Sequence, residues 1–348
     1  MPPSTIARAD TPLVLRLLRF FLIGFAWFVL GAANLWAAAA IHFDSPFGSF
    51  KTLVAVLYFI LLIAFLFLFR GQMKKMLVWL VCFAIVVTWW FTLKPSDDRP
   101  WQKDVEQIAY GEVNGNLLTL HNIRDCDYRA EFDYTCQWQT KTFDMNKLRG
   151  IDFFLDNWGS PLIAHPILSF DFGTDGHLPM SIEVRKVVGQ SYAALPGFFR
   201  QYTLIVIPSV ERDVVRLRTN YRVGENLSLY RTRATPAGAR QLLDYYVATI
   251  NELHLKPRWY NAVTTNCTTV IFQDKEMLRR QAWAWRILLN GKLDELEYNR
   301  GALVSDGLSF PELKKQAWIN PAAKAANDSP EFSELIRKGR VGFPQPAQ

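Results

Sequence analysis

Three apolar runs fill most of the first quarter of this chain, about Leu13 to Ile41, Phe50 to Phe69 and Met76 to Leu93. Each is close to the roughly 20 residues an α-helix needs to cross a bilayer. Lipid offers the backbone no hydrogen-bond partners, so such stretches are expected to fold as helices. Arg8, Arg16 and Arg19 lie at the entry of the first run, and Arg70, Lys74 and Lys75 lie between the second and third. Positive charge is retained on the cytoplasmic side, which places the N-terminus inside and everything after Lys94 outside. The Ala37–Ala40 run also allows cleavage as a signal peptide. The two remaining spans would leave the topology unchanged. The expected organisation is a membrane anchor over 1–94, a Pro/Asp-rich linker over 95–105, an exported domain over 106–320, and a mostly extended tail over 321–348 with a short helix near Phe332–Arg337.

Charge says little about partners. Lys and Arg exceed Asp and Glu by 39 to 32, without a long basic tract or a nucleic-acid motif. A basic exported domain beside a membrane fits anionic headgroups better than nucleic acid. Membrane lipids or lipoproteins are the expected partners, and the oligomeric state is left open.

The exported part reads as α+β. From about Trp101 to Tyr230, β-branched and aromatic residues alternate with polar ones between Gly and Asp-Gly turns. Strands are expected over Leu117–Asn122, Trp138–Phe143, Leu162–Phe172, Leu178–Lys186, Tyr202–Pro208 and Leu227–Tyr230. Thr235-Pro236 then starts a helix, whose stripe is Leu242, Leu243, Tyr246, Val247, Ile250 and Leu253. A second helix is expected near Asn266 and more helix from about Gln281. A domain of roughly 250 residues can bury one sizeable core.

Of four cysteines, Cys82 lies in the third apolar run. Cys126 and Cys136 bracket a hairpin-length stretch, and an exported compartment permits a disulfide between them. Cys267 is then the unpaired thiol. It sits among Thr264, Thr265, Asn266, Thr268 and Thr269, residues that cap and start helices. A cysteine in a first helical turn feels the positive end of the dipole, which favours thiolate. Burial is the ordinary alternative for such a thiol.

His165 is the strongest partner among five histidines. It shares strand parity with Ser169 and Asp171, and the next strand places Ser181, Glu183 and Arg185 on matching parity. A turn closing Phe172 onto Gly176 sets His165 opposite Glu183, whereas a slip of two residues sets it opposite Arg185. In the first register a carboxylate orients an imidazole, the third role of a catalytic triad. Against this stand a polar strand histidine, a cross-strand Glu183–Arg185 ion pair, and solvent-facing Ser169 and Asp171. The sequence carries no close Cys/His ligand pairs for a metal, no Gly-rich phosphate loop and no Gly-x-Ser-x-Gly elbow. No cofactor is expected.

Several motifs carry a family resemblance: Asp152–Gly159, Ile163–Phe170, Ser181–Lys186, Gly197–Tyr202, Glu211–Asp213, Leu217–Arg222 and Tyr260–Thr269. In this order they resemble the N-terminal periplasmic domain of the bacterial lipoprotein intramolecular transacylase. The resemblance implies a thiol enzyme with Cys267 and His165 as its pair, Glu183 near the third position, and a permuted papain-like fold. Asn266-Cys267 is similar to the Asn-Cys pair of lecithin retinol acyltransferase. Two departures are Pro166, where Thr would be expected, and three spans ahead of the domain. The expected activity is cysteine-dependent acyl transfer or hydrolysis on lipid or lipoprotein esters, with the Cys267 backbone N–H as an oxyanion donor. The alternatives are a cell-envelope thiol amidase or a non-catalytic lipoprotein-binding adaptor.

Overall fold

The computed structural model describes residues 13–160, 163–265 and 290–343. They form two compact units. The first comprises Met1–Lys94 with Phe199–Gln201, and the second Pro95–Phe198 with Tyr202–Gln348.

In the first unit, α1 (Leu13–Asp44), α2 (Lys51–Leu68) and α3 (Gln72–Thr92) are long and apolar enough to cross a membrane. Their outward side chains are exposed hydrophobics, as lipid-facing positions require. Asn34 ties the three together: its amide donates to the Leu30 carbonyl at 2.9 Å and the Trp79 carbonyl at 3.4 Å. Tyr58 donates to its Oδ1. A buried amide bonding across helices is a recurrent way of holding spans together. Sequence patterning did not assign the tripeptide Phe199–Gln201 to this unit. Phe199 stacks on Trp36 and Phe43, while the Arg200 backbone N–H and the Gln201 amide donate to Asp44.

The second unit is α+β, as expected. A three-stranded sheet has the order β1-β2-β3, from β1 (Tyr110–Asn114), β2 (Leu117–Ala130) and β3 (Asp133–Asp144). A five-stranded sheet has the order β7-β6-β5-β4-β8, from β4 (Gly150–Trp158), β5 (Ala164–Asp171), β6 (His177–Arg185), β7 (Thr203–Pro208) and β8 (Glu225–Arg231). All its pairings are antiparallel. Cys126 and Cys136 are ladder partners in β2 and β3 and are disulfide-bonded.

Both faces of the larger sheet are buried. One carries Phe153, Leu155, Leu168, Phe170, Met180 and Ile182 into the main core. There α5 (Pro236–Leu255), capped by Thr235 Oγ1 accepting from the Gly238 N–H at 3.2 Å, lays down Leu243, Tyr246, Val247, Ile250 and Leu253. The other face carries Phe154, Ile167, Leu227 and Leu229 under α4 (Glu211–Arg216) and the C-terminal helices.

The C-terminal part departs from expectation. After α6 (Leu293–Asn299) and α7 (Phe310–Ala317), the stretch expected to be mostly extended forms α8 (Asn320–Ala326), while α9 (Phe332–Leu335) lies where a short helix is expected. It packs Ala323, Phe332, Ile336 and Phe343 onto the second core. Pro and Ala disguise it, because Pro at a helix start is favourable and Ala suits close packing. The expected linker likewise belongs to the fold: Trp101 bridges to Val187, and Val105 packs with Ile205 and Ile207. The helices expected near Asn266 and Gln281 begin outside the described residues.

Candidate functional site

The turn after β5 sets the register. The Phe172 N–H donates to the Gly176 carbonyl at 2.9 Å, and Asp171 pairs with His177. From there the ladder runs to Ile167 opposite Ser181. It stops beside Pro166, which has no N–H to contribute. Continuing the same register places His165 across from Glu183, the first of the two alternatives.

Side-chain geometry inserts a serine between them. His165 Nε2 lies 2.7 Å from Ser181 Oγ, and Ser181 donates to Glu183 Oε1 at 2.6 Å. With its proton given to the carboxylate, Ser181 accepts from the imidazole, so Nε2 carries hydrogen and Nδ1 is the basic nitrogen. The direct His165 Nε2–Glu183 Oε1 distance is 3.2 Å. Arg218 Nη2 donates to the same Glu183 oxygen at 2.6 Å. Burial alone would raise the Glu183 pKa. The charges of His165 and Arg218, with hydrogen bonds from His165 and Ser181, instead hold it well below the usual carboxylate range.

A second carboxyl completes the group. Asp156 in β4 is the ladder partner of His165 and lies 3.4 Å from Arg218 Nε. Burial first, and then the negative charge of Glu225, push its pKa up to about 8, against the pull of Arg218 and His165. As carboxylates, Asp156 through both oxygens and Glu225 through Oε2 lack a hydrogen-bond partner among the described residues. A protonated Asp156 changes this, since a carboxylic acid can donate to the neighbouring carboxylate.

Arg218 reaches the group from the π-helical turn Leu217–Tyr221 that follows α4. Its Nη1 donates to the Val214 carbonyl at 2.9 Å, which fixes the guanidinium. Sequence parity brought out His165 and Glu183 but not Asp156, Arg218 or the role of Ser181. The available signal was that Asp156, Ser181 and Arg218 each lie in one of the motifs carrying the resemblance.

Two sheet rows along the same face, past the apolar row of Phe154, Ile167 and Leu229, lies a different polar cluster. Arg337 donates to Asp152 Oδ2 at 2.7 Å and to Glu211 Oε1 at 2.6 Å, and Ser169 donates to Glu211 at 2.6 Å. Arg231 bridges Asp152 and Asp171 at 2.7 and 2.9 Å. Burial would raise the Glu211 pKa, but the charge of Arg337 leads the forces that hold it at about 2. Ser169 is therefore not a solvent-facing residue. The Arg337 pairs bind the C-terminal segment to the sheet and to α4. Nearby, Asp213 receives Arg124 bidentately at 2.7 and 2.8 Å. The Glu211–Asp213 motif is thus a pair of structural clamps.

Cys267 lies outside the described residues. The chain leading to it follows the sheet edge: the Leu204 N–H donates to the Arg258 carbonyl at 2.8 Å and the Tyr260 N–H to the Tyr202 carbonyl at 3.0 Å. Asn261 Oδ1 then accepts from the Val263 and Thr264 N–H groups, both at 3.0 Å. Among the described residues, no cluster of His, Cys, Asp and Glu is arranged to hold a metal ion.

Residues 134–291 match the family model of the Lnb N-terminal periplasmic domain, the family the motifs indicate. No curated protein and no solved structure matches the chain. The family match and the three apolar helices indicate a membrane-anchored protein with a periplasmic domain.

Proposed function

We propose that this membrane-anchored periplasmic protein is a cysteine-dependent acyltransferase or acyl hydrolase acting on lipid or lipoprotein esters. The observation that carries the reading is the His165–Ser181–Glu183–Arg218 chain, which commits Nε2 as a donor and leaves Nδ1 as the basic nitrogen. A Cys267 thiol gives its proton to that nitrogen, and the thiolate attacks the ester carbonyl carbon. The Cys267 backbone N–H supports the oxyanion, since first-turn amides lack intrahelical partners. The carbon–oxygen ester bond breaks, the alcohol leaves with the proton from His165, and an acyl thioester remains. An amine or water then attacks the thioester, with His165 taking up the attacker's proton and the thiolate leaving. Glu183 stabilises the imidazolium between these steps.

Arg70, Lys74 and Lys75 are assigned to the cytoplasmic side. This orientation presents the site to lipids and lipoproteins at the outer face. The test uses the full chain reconstituted in proteoliposomes with a diacylglyceryl-modified peptide bearing a free N-terminal amine. Mass spectrometry follows loss of an ester-linked chain and its reappearance on the amine or as free acid. Wild type should convert the peptide and Cys267→Ser should not. Equal conversion, or none by either protein, contradicts the reading.

A further inference from the structure

Between β6 and β7, the loop running on to Phe198 exposes Val188, Tyr192, Leu195 and Phe198 within a short stretch. Val263 adds a fifth exposed apolar side chain, its neighbour Ala262 donating from N–H to the Gly197 carbonyl at 2.8 Å. Elsewhere in this unit, large exposed apolar residues such as Phe132 and Val223 stand singly, as is ordinary for a protein surface. A cluster is different and marks a contact surface.

The loop's backbone is held from within. Tyr202 Oη accepts from the Ala193 N–H at 3.1 Å and donates to the Ser191 carbonyl at 2.8 Å. Gln102 donates to the Val187 and Gln190 carbonyls at 3.1 and 2.6 Å. The exposed side chains are therefore displayed by a fixed scaffold.

The path of the chain on either side of the loop bears on what it contacts. The Val188 N–H donates to the Pro100 carbonyl at 2.8 Å, and Pro100 follows the end of α3 at Thr92 by eight residues. That length of chain extends at most ~30 Å. At its other end, Phe198 is bonded to Phe199, which belongs to the unit of membrane-crossing helices. The sequence from Lys186 to Val210 contains no Asp or Glu, so no carboxylate in it repels anionic headgroups. We infer that this loop, with Val263, inserts its apolar side chains into the outer-leaflet interface of the bilayer. The contact stands apart from the proposed acyl chemistry. It also brings acyl chains toward Val263, in the segment that leads to Cys267.

The experiment uses the full chain with Cys82→Ser and Cys267→Ser, the Cys126–Cys136 disulfide being unreactive. A single cysteine at Val188, Leu195 or the distant Val223 is labelled with an environment-sensitive fluorophore. The labelled proteins are reconstituted in phosphatidylethanolamine–phosphatidylglycerol nanodiscs, with and without lipid spin-labelled near the headgroup. Most of the emission at positions 188 and 195 should be lost to the spin label, while position 223 keeps its emission. Equal behaviour at all three positions overturns the inference. So does a blue-shifted but unquenched signal at 188 and 195, which would mean that protein covers the loop. Because Cys267 is absent throughout, failure of the acyl chemistry cannot produce either result.

Discussion

Asp156 lies directly across the β4–β5 ladder from His165, and Arg218 reaches both Asp156 and the Glu183 carboxylate. The histidine is thus set among two carboxyl groups in different states. Glu183 is held ionised by its partners, while Asp156 is pushed up to about 8 by burial and Glu225. Environments that drive two acids apart in this way are a mark of acid–base sites.

Asp156 costs the fold stability as pH rises. Its folded pKa of about 8 lies above its ordinary 3.8, so the folded protein holds the proton more tightly. Stability is then lost progressively between those values. Asp156→Asn keeps the shape without the charge. Its stabilising effect should be roughly 1–3 kcal/mol larger at about pH 8 than at about pH 6, read from chemical unfolding of the full chain in detergent. An effect independent of pH would show that Asp156 ionises normally.

Ser181 links the imidazole to the carboxylate, and hydrogen bonds to charged groups contribute about 1.5–3 kcal/mol. Ser181→Ala should therefore lower kcat/KM for ester cleavage by about 10–100-fold. The loss should fall mainly on kcat, whereas an unchanged kcat would remove Ser181 from the account.

Much of this site was legible in strand parity, and the reason is geometric. A period of two with a short turn leaves few registers: the apolar even positions allowed His165 opposite Glu183 or Arg185, and the turn closing Phe172 onto Gly176 sets the first. β4 escaped because Gly150–Trp158 is buried on both faces, so Ile151 to Leu155 show no alternation for a pattern to detect. With β4 hidden, Asp156 had no address. Arg218 arrives from a non-adjacent turn, and local periodicity carries no information about such contacts. The short helix near Phe332 was legible, but the docking of the C-terminus onto the sheet was not, because Arg337 finds its partners in Asp152 and Glu211, both distant in sequence.

Arg337 fastens the C-terminal segment. Arg337→Met leaves Asp152 and Glu211 buried without their shared cation, a change that costs about 3–5 kcal/mol. Urea unfolding should report that loss. Because the Glu211 pKa falls from 4.5 to about 2 on folding, its contribution is complete above the higher value. It should disappear as pH falls toward the lower one. A wild-type stability that stays flat across this acid window would contradict the assignment.

The Cys126–Cys136 disulfide closes a short loop between paired strands. Reduction should destabilise the second unit by about 3 kcal/mol on the chain-entropy model. Unfolding with and without dithiothreitol measures the difference, and Cys126→Ala/Cys136→Ala should match the reduced protein. An unchanged midpoint would show that β2–β3 pairing holds without the bond.

The most direct test of the central claim is the rate of Cys267 alkylation against pH, followed by mass spectrometry in wild type and His165→Ala. An activated pair predicts thiolate well below the ordinary cysteine value of about 8.5, with that reactivity lost in His165→Ala. Slow alkylation that rises only near the ordinary value, equally in both proteins, would contradict a Cys267–His165 pair.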